Sequence, residues 1–317
     1  MTKAEKIRIA ILQTKQKRKE QIPVVYELKV NLNSLSKANR SRLFGLFSEA
    51  KWLYNYIVAD IDNRLKYDTY KLSEVEIKVG DNFETRPIEN LSSQMRQAII
   101  ERIRQSLYAL HKLKENGNKV GSLKFKHSVN SIPLKQYGNT FKFVNEQKTK
   151  VKIQGFEKPI RVLGGHQIPK EAEIAKAELV KKASGLYLHL TCYINREKFI
   201  PIWETRINKK GELKTRRWHK LGTAIAIDFK PNGLVLSNGI KLEWKIEETP
   251  RLKKLQRTLA RKQKGSKDRQ KVKQELGKEY EYITNVREDI VNKISSLVYR
   301  YETVIYQDDS IHTWHKG

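Results

Sequence analysis

The apolar residues in the first two thirds of the chain follow two different periods. Residues 24–32 and 186–194 alternate between apolar and polar side chains, which is typical of half-buried strands. In residues 38–64 and 92–113 the apolar positions recur three and four residues apart, which predicts two amphipathic helices. The polar, acidic residues 68–89 between them are interpreted as a loop with marginal structure. The pattern therefore predicts a β module that is interrupted by a helical insertion.

The last third of the chain again combines strands with helices. An apolar strand at residues 223–228 ends in Asp228, two further strands lie in residues 233–244, and another covers residues 303–306. Two consecutive helices occupy residues 251–301. Together with the first two thirds, this predicts a multidomain α+β fold.

The pattern divides the chain into five segments. They are a basic N-terminal arm, a first strand, a helical domain, a β module and a final strand–helix domain, at residues 1–21, 22–36, 37–120, 121–200 and 201–317. Residues 206–220 are basic and resemble a linker. For the arm, weak periodicity favours a solvated, partly disordered segment over one that binds a phosphate backbone, and both interpretations stay open.

The composition is strongly basic and indicates an acidic partner. The 317 residues include 64 Lys and Arg against 35 Asp and Glu, which gives a formal net charge of +29. Such an excess repels itself unless a polyanion binds, and nucleic acid is the first candidate. Residues 251–273 alone hold eleven Lys and Arg and one Asp, a density that favours nucleic-acid contact over a merely solvated helix face.

Other features exclude several protein classes. The sequence has no run of about 18 apolar residues and no apolar segment near its start, so it predicts neither a membrane-spanning helix nor a secretory signal. Cys192 is the single cysteine, which rules out an intrachain disulfide and a cysteine-based zinc site. These features are typical of a cytoplasmic protein.

Several different short motifs are spread over nearly the whole chain, in the order in which they occur in a known family. In the first two thirds they are Ala50–Asn55, Leu91–Gln94 with Gln97, and Gly121–Lys126. In the last third they are Ile225–Asp228, Leu236–Gly239, Leu252–Arg269 and Asn285–Lys293. Together these motifs resemble TnpB, the family of transposon-encoded RNA-guided nucleases related to type V CRISPR effectors. Two motifs depart from the family pattern, with Leu123 in place of a proline and Asn292 in place of a histidine.

This resemblance implies a fold and a set of partners. It implies a β-barrel-like wedge module (WED) that carries a helical recognition insertion (REC), followed by a truncated RuvC domain with an RNase H-like α/β fold. One protein is expected to hold one guide RNA, to recognise a short motif beside its target and to open the double-stranded DNA. No membrane is involved, and the resemblance implies a bacterial protein at the nucleoid.

The catalytic positions depart from the family pattern. RNase H-like nucleases hold two Mg²⁺ ions with acidic residues at the ends of adjacent strands. Here Asp228 stands at the first position, but the expected Glu is replaced by Gln307 in one alignment and by Asp309 in another. Lys230 stands where a Gly is usual, and the sequence ends at Gly317, before the family's zinc finger and third acid. No functional catalytic residue, no zinc and at most weak, non-catalytic Mg²⁺ binding are therefore expected.

Three functions remain open. The first is a nuclease-dead, RNA-guided transcriptional repressor, as in the TnpB-like repressor group TldR. The second is an RNA-guided endonuclease, either with residual activity or as part of a longer chain. A generic RNA-binding protein is the more distant third.

Two sets of residues are expected to contact nucleic acid. Those for RNA and DNA backbones are basic or lie beside basic residues: Arg251, Lys253, Lys254, Arg257, Arg261, Lys262, Lys124, Phe125 and Lys126. Those for recognition of base edges in the adjacent motif are Tyr54, Asn55, Gln94 and Gln97. Phe125 and Tyr54 have an alternative interpretation as core residues.

Overall fold

The structure, a computed structural model, describes residues 2–196, 204–207, 213–216, 222–244 and 248–307. Contacts divide the chain into two compact units, Met1–Glu197 and Lys198–Gly317, and each has a hydrophobic core of its own. The fold is mixed α+β. Within the described ranges, no helix is both long and apolar enough to cross a bilayer.

A seven-stranded antiparallel sheet forms the body of the first unit. The elements of this unit are α1 (Lys3–Lys19), β1 (Gln21–Val30), α2 (Lys37–Ala59), α3 (Ile61–Arg64), β2 (Glu74–Val79), β3 (Asn82–Pro87), α4 (Ser93–Glu115), β4 (Ser131–Leu134), β5 (Phe141–Phe143), β6 (Lys150–Ile153), β7 (Ile160–Leu163), β8 (Glu173–Lys182) and β9 (Gly185–Asn195). The strand order is β4-β8-β9-β1-β7-β6-β5. Between the outer strands, the backbone of Tyr137 bridges to Phe141 and donates to Ala175, so the sheet is a nearly closed barrel.

The core of this barrel is formed by every second side chain of its strands. Leu186, Leu188, Leu190, Cys192 and Ile194 of β9 point inward and are buried, which confirms the strand predicted there. Burial raises the pKa of the Cys192 thiol to about 11, so this cysteine behaves as a core residue.

The two predicted amphipathic helices are also confirmed. The hydroxyls of Ser36 and Ser92 accept hydrogen bonds from the third residue of α2 and of α4, which satisfies backbone donors at the two helix starts. The apolar faces of both helices join the core of the barrel. The expectation for residues 68–89 is wrong: most of this stretch is the β2–β3 hairpin, and Val75 is buried against the helices.

A buried carboxylate joins the two helices. Glu49 of α2, only 3% exposed, accepts hydrogen bonds from the backbone N–H groups of Glu89, Asn90 and Leu91 at 2.9–3.2 Å and from the Asn90 amide at 2.5 Å. These groups precede α4, so the bonds set where α4 begins relative to α2. Gly45, one turn earlier, leaves room for Asn90, because a Cβ at Gly45 would lie 2.9 Å from the Asn90 amide nitrogen.

A smaller sheet and two helices form the second unit. Its elements are β10 (Glu204–Ile207), β11 (Leu213–Arg216), β12 (Gly222–Lys230), β13 (Gly233–Leu236), β14 (Lys241–Glu243), α5 (Pro250–Arg261), α6 (Lys267–Val298) and β15 (Tyr301–Tyr306). The four-stranded sheet has the order β14-β13-β12-β15, in which only the β12–β15 pair is parallel. The expectation of a linker at residues 206–220 is wrong in part. Residues 206–207 of β10 and 213–216 of β11 belong to two antiparallel strands whose backbone groups pair with each other.

The N-terminal arm also differs from its expected partly disordered state. Residues Lys3–Lys19 form helix α1, which begins with a capping box between Thr2 and Glu5. Because the apolar and polar residues have weak periodicity, the sequence offers no face from which this helix could have been predicted.

We expect Glu49→Ala to lower the free energy of unfolding by about 2–4 kcal/mol, because three backbone N–H groups, among them that of the buried Leu91, lose their acceptor. Urea denaturation followed by circular dichroism measures the change. The matched control is Glu76→Gln on the exposed face of β2, which should leave stability unchanged. Equal midpoints for Glu49→Ala and the unmodified chain would contradict a structural role for this carboxylate.

Candidate nucleic-acid interface

The structure brings five of the predicted site residues together at one end of α2. The Asn55 amide donates to the Lys126 carbonyl at 3.0 Å, and its oxygen accepts from the Lys126 N–H at 2.8 Å. The hydroxyl of the neighbouring Tyr54 donates to the Lys124 carbonyl at 3.4 Å. These bonds fix the irregular segment Gly121–Lys126, which we call the clamped loop, against the helix.

Clamping leaves the central side chains of the loop exposed. Phe125 is 66% exposed and Lys124 also faces solvent, so Phe125 is not a core residue. An exposed aromatic ring between two lysines can stack on an unpaired base while the cations contact neighbouring phosphates.

Lys126 lies in an environment that favours an added anion. Its ammonium lies 4.0 Å from the centre of the Tyr54 ring. Burial and the nearby Arg102 charge both lower the pKa of Lys126. A phosphate placed beside these two cations would offset their mutual repulsion. Arg102 is a residue that the sequence patterns did not single out, and it donates to Ser131 at 2.9 Å and pairs with Glu178 at 2.5 Å.

Three of the four residues expected to recognise base edges use their polar groups in hydrogen bonds within the protein, and the fourth lies apart from the clamped loop on α4. Asn55 uses both ends of its amide on Lys126, and Tyr54 is only 8% exposed, so both position the clamped loop. Gln94 accepts a hydrogen bond from the buried Thr140 hydroxyl at 2.6 Å. Gln97 is half-buried on α4, and its side-chain amide has no hydrogen bond to any of the described residues. Gln97 therefore keeps the polar groups that contact with a base edge requires.

Helix α5 presents a row of cations. Lys253, Arg257 and Arg261 recur every fourth residue, so they lie along one face with Lys254 beside them. All four are exposed and have no ion pair within the described part of the chain. We call them the α5 ridge.

The other two predicted cations of this region have acidic partners. Arg251 pairs with Glu275 at 2.9 Å and with Glu279 at 3.5 Å, both on α6. Lys262 lies 3.6 Å from Asp268. These pairs hold the two helices together, which makes both cations less available to phosphate than those of the α5 ridge.

Asp228 and Gln307, at the positions where catalytic acids were expected, lie near the C-terminal ends of β12 and β15. In the parallel β12–β15 pair Ile227 is the partner of Tyr306, so the next pair in this register is Asp228 with Gln307. Both side chains are exposed, and Lys230 shares the Asp228 face of β12. Asp309 lies outside the described residues. Among the described residues, this continued register therefore places the amide of Gln307 opposite Asp228.

No family model and no curated protein match this chain. The resemblance to TnpB therefore depends on the sequence motifs alone. The described residues also contain no group of three His, Cys, Asp or Glu side chains that could hold a metal ion.

We expect Phe125→Ala to weaken binding of an unpaired oligonucleotide about 5- to 150-fold, because loss of one base–aromatic stack costs about 1–3 kcal/mol. Fluorescence anisotropy with a labelled single strand measures this affinity. Phe83→Ala is the matched control, because Phe83 is equally exposed at 65% but lies on the β2–β3 hairpin. Equal affinities of the two variants would show that Phe125 does not contact the nucleic acid.

Arg251 and Lys253 should respond differently to neutralisation. Arg251→Gln breaks the pairs with α6 and should lower the melting temperature, whereas Lys253→Gln should leave it unchanged and weaken nucleic-acid binding. Differential scanning fluorimetry and anisotropy measure the two effects. The division of roles is contradicted if Lys253→Gln melts lower or if only Arg251→Gln weakens binding.

Proposed function

We propose that this protein is an RNA-guided DNA-binding protein without nuclease activity. It holds a guide RNA, occupies a complementary DNA target beside a short motif and represses transcription by remaining there. The single observation that carries the loss of cleavage is the register of the parallel β12–β15 pair: Ile227 is the partner of Tyr306, and one further residue in this register places Gln307 opposite Asp228.

Chemistry supports the loss of metal binding at this edge. Mg²⁺ binds through carboxylates and substrate phosphates, and a neutral amide is a weaker ligand than the Glu it replaces. Lys230 adds a positive charge on the same face as Asp228. The donor set within the described residues therefore does not fit a two-metal centre.

In this proposal the barrel corresponds to the wedge module, helices α2 and α4 to the recognition insertion, and the second unit to the RuvC-like domain. The resemblance supplies these assignments, and two features support them. The helical insertion interrupts the barrel between β1 and β4. Continued by one residue, the β12–β15 register also places the two positions that would carry acids in an active relative opposite each other.

Binding requires none of the lost carboxylates. Lys and Arg supply the phosphate contacts, and base pairing between guide and target supplies sequence recognition. The clamped loop and the α5 ridge offer exposed cations for this purpose. A complex that binds without cutting stays on the DNA and blocks RNA polymerase when its target is a promoter.

The test uses the RNA that copurifies with the protein. Sequencing this RNA identifies its variable portion, and the reconstituted complex is then mixed with a DNA duplex that matches it, in the presence of Mg²⁺. We expect tight binding that depends on the match and an intact duplex after prolonged incubation. A scrambled target is the control for sequence dependence.

Other outcomes would point to the competing functions. Cuts at the matched target that disappear in Asp228→Asn would establish a nuclease and overturn the repressor. Binding that ignores the variable portion of the RNA would indicate a generic RNA-binding protein instead.

A further inference from the structure

Helix α1 is an exposed helix without a packed face. Every side chain that the structure describes from Ala4 to Lys17 is exposed. Four of these are large and apolar, namely Ile7, Ile9, Ile11 and Leu12. An isolated helix of this length is marginal in water, which suggests a ligand that stabilises it.

The helix is anchored at its C-terminal end. The Arg18 guanidinium lies 3.6 Å from the centre of the Tyr193 ring, donates to Gln21 and pairs with Glu173 at 2.6 Å. Lys17 pairs with the other Glu173 oxygen at 2.7 Å. These bonds lower the pKa of Glu173 to about 2, so its negative charge persists in acid where an ordinary glutamate would be protonated. The anchor therefore holds α1 in a defined direction from the barrel.

The charge of α1 is strongly positive and two-sided. Residues 3–19 include seven Lys and Arg and a single Glu, which is engaged in the capping box. At about 100° per residue, Lys6 and Lys17 lie on one side of the helix. Arg8, Lys15 and Lys19 lie on the opposite side.

We propose that α1 binds in the major groove of double-stranded DNA. This groove of B-form DNA admits an α-helix and has a phosphate strand on each side. Arg8, Lys15 and Lys19 would meet one strand and Lys6 the other, while Lys17 stays paired with Glu173 in the anchor. The major groove of A-form RNA is too narrow for a helix. The proposal needs no guide RNA, so it stands apart from the function proposed above.

The pattern of α1 disfavours other occupants. A helix on a membrane surface has its apolar residues on one side, but Ile7 and Ile9 point about 200° apart. Pairing with α1 of a second copy would bring two strongly positive helices together.

The test compares two triple variants of the full chain, freed of copurifying nucleic acid in high salt. In the first, Arg8, Lys15 and Lys19 are replaced by Gln, which keeps helix propensity high. In the second, three exposed lysines elsewhere in the first unit, Lys78, Lys158 and Lys170, are replaced by Gln. The affinity for a short random-sequence DNA duplex is measured over a range of salt concentrations.

We expect the α1 variant to reduce the slope of log affinity against log salt by about 2–3, because each lost phosphate contact removes about 0.9. The control variant should keep the slope of the unmodified chain. Equal slopes for the two variants overturn the proposal, and so does an equal loss of affinity for an RNA duplex. It is also overturned if the α1 variant loses only binding to anionic vesicles or only self-association.

Glu173→Gln tests the anchor separately. This change removes a negative charge, so a general electrostatic effect predicts tighter DNA binding. A helix that must point in one direction instead predicts weaker binding, because its preorganisation is lost. Tighter binding by Glu173→Gln would overturn the role of the anchor.

Discussion

The buried carboxylate of Glu49 is the interaction on which much of the first unit depends. It accepts the backbone donors that precede α4, while the apolar face of its own helix, α2, belongs to the same hydrophobic core as the strands. A charge in this position is tolerated because several N–H groups point at it. Asn55, which holds the clamped loop, lies on α2, and Arg102, the cation near Lys126, lies on α4. Because the Glu49 carboxylate joins these two helices, it also helps to set the position of Arg102 relative to the clamped loop.

The cationic side chains of this protein have two roles: some stabilise the fold, and others are exposed and can bind phosphate. Several arginines serve the fold: Arg18 anchors α1, Arg251 joins α5 to α6, and Arg269 donates to the Lys262 carbonyl at the end of α5. The planar guanidinium suits such multiple contacts. Lys124 and the cations of the α5 ridge are exposed and have no ion pair within the described part of the chain, so they retain the capacity to bind phosphate.

In the second unit, the backbone pairing of β12 with β15 does not depend on which side chains stand near the ends of these strands. The parallel pair β12–β15 brings two strand ends together, which is the geometry that a two-metal nuclease requires. In the proposed function, the side chains near these ends differ from those of an active nuclease: Asp228 is kept, and Gln307 stands in place of the second acid. Backbone hydrogen bonds hold the strands regardless of that change, so a binding protein can keep the architecture after losing the metal ligands.

By itself, the sequence determined the elements whose signal is local. The alternation in β9 and the three- and four-residue spacing in α2 and α4 predicted these elements because burial repeats with the backbone period. Only the tertiary structure decided which candidate residues act together. Asn55 and Lys126 lie 71 positions apart, so no local pattern could show that the amide clamps a loop instead of contacting a base. Likewise, the sequence allowed Gln307 or Asp309 at the second acidic position. Only the pairing of β12 with β15 relates this part of the chain to Asp228, because pairing between strands is a long-range property. Continued by one residue, this register places Gln307 opposite Asp228.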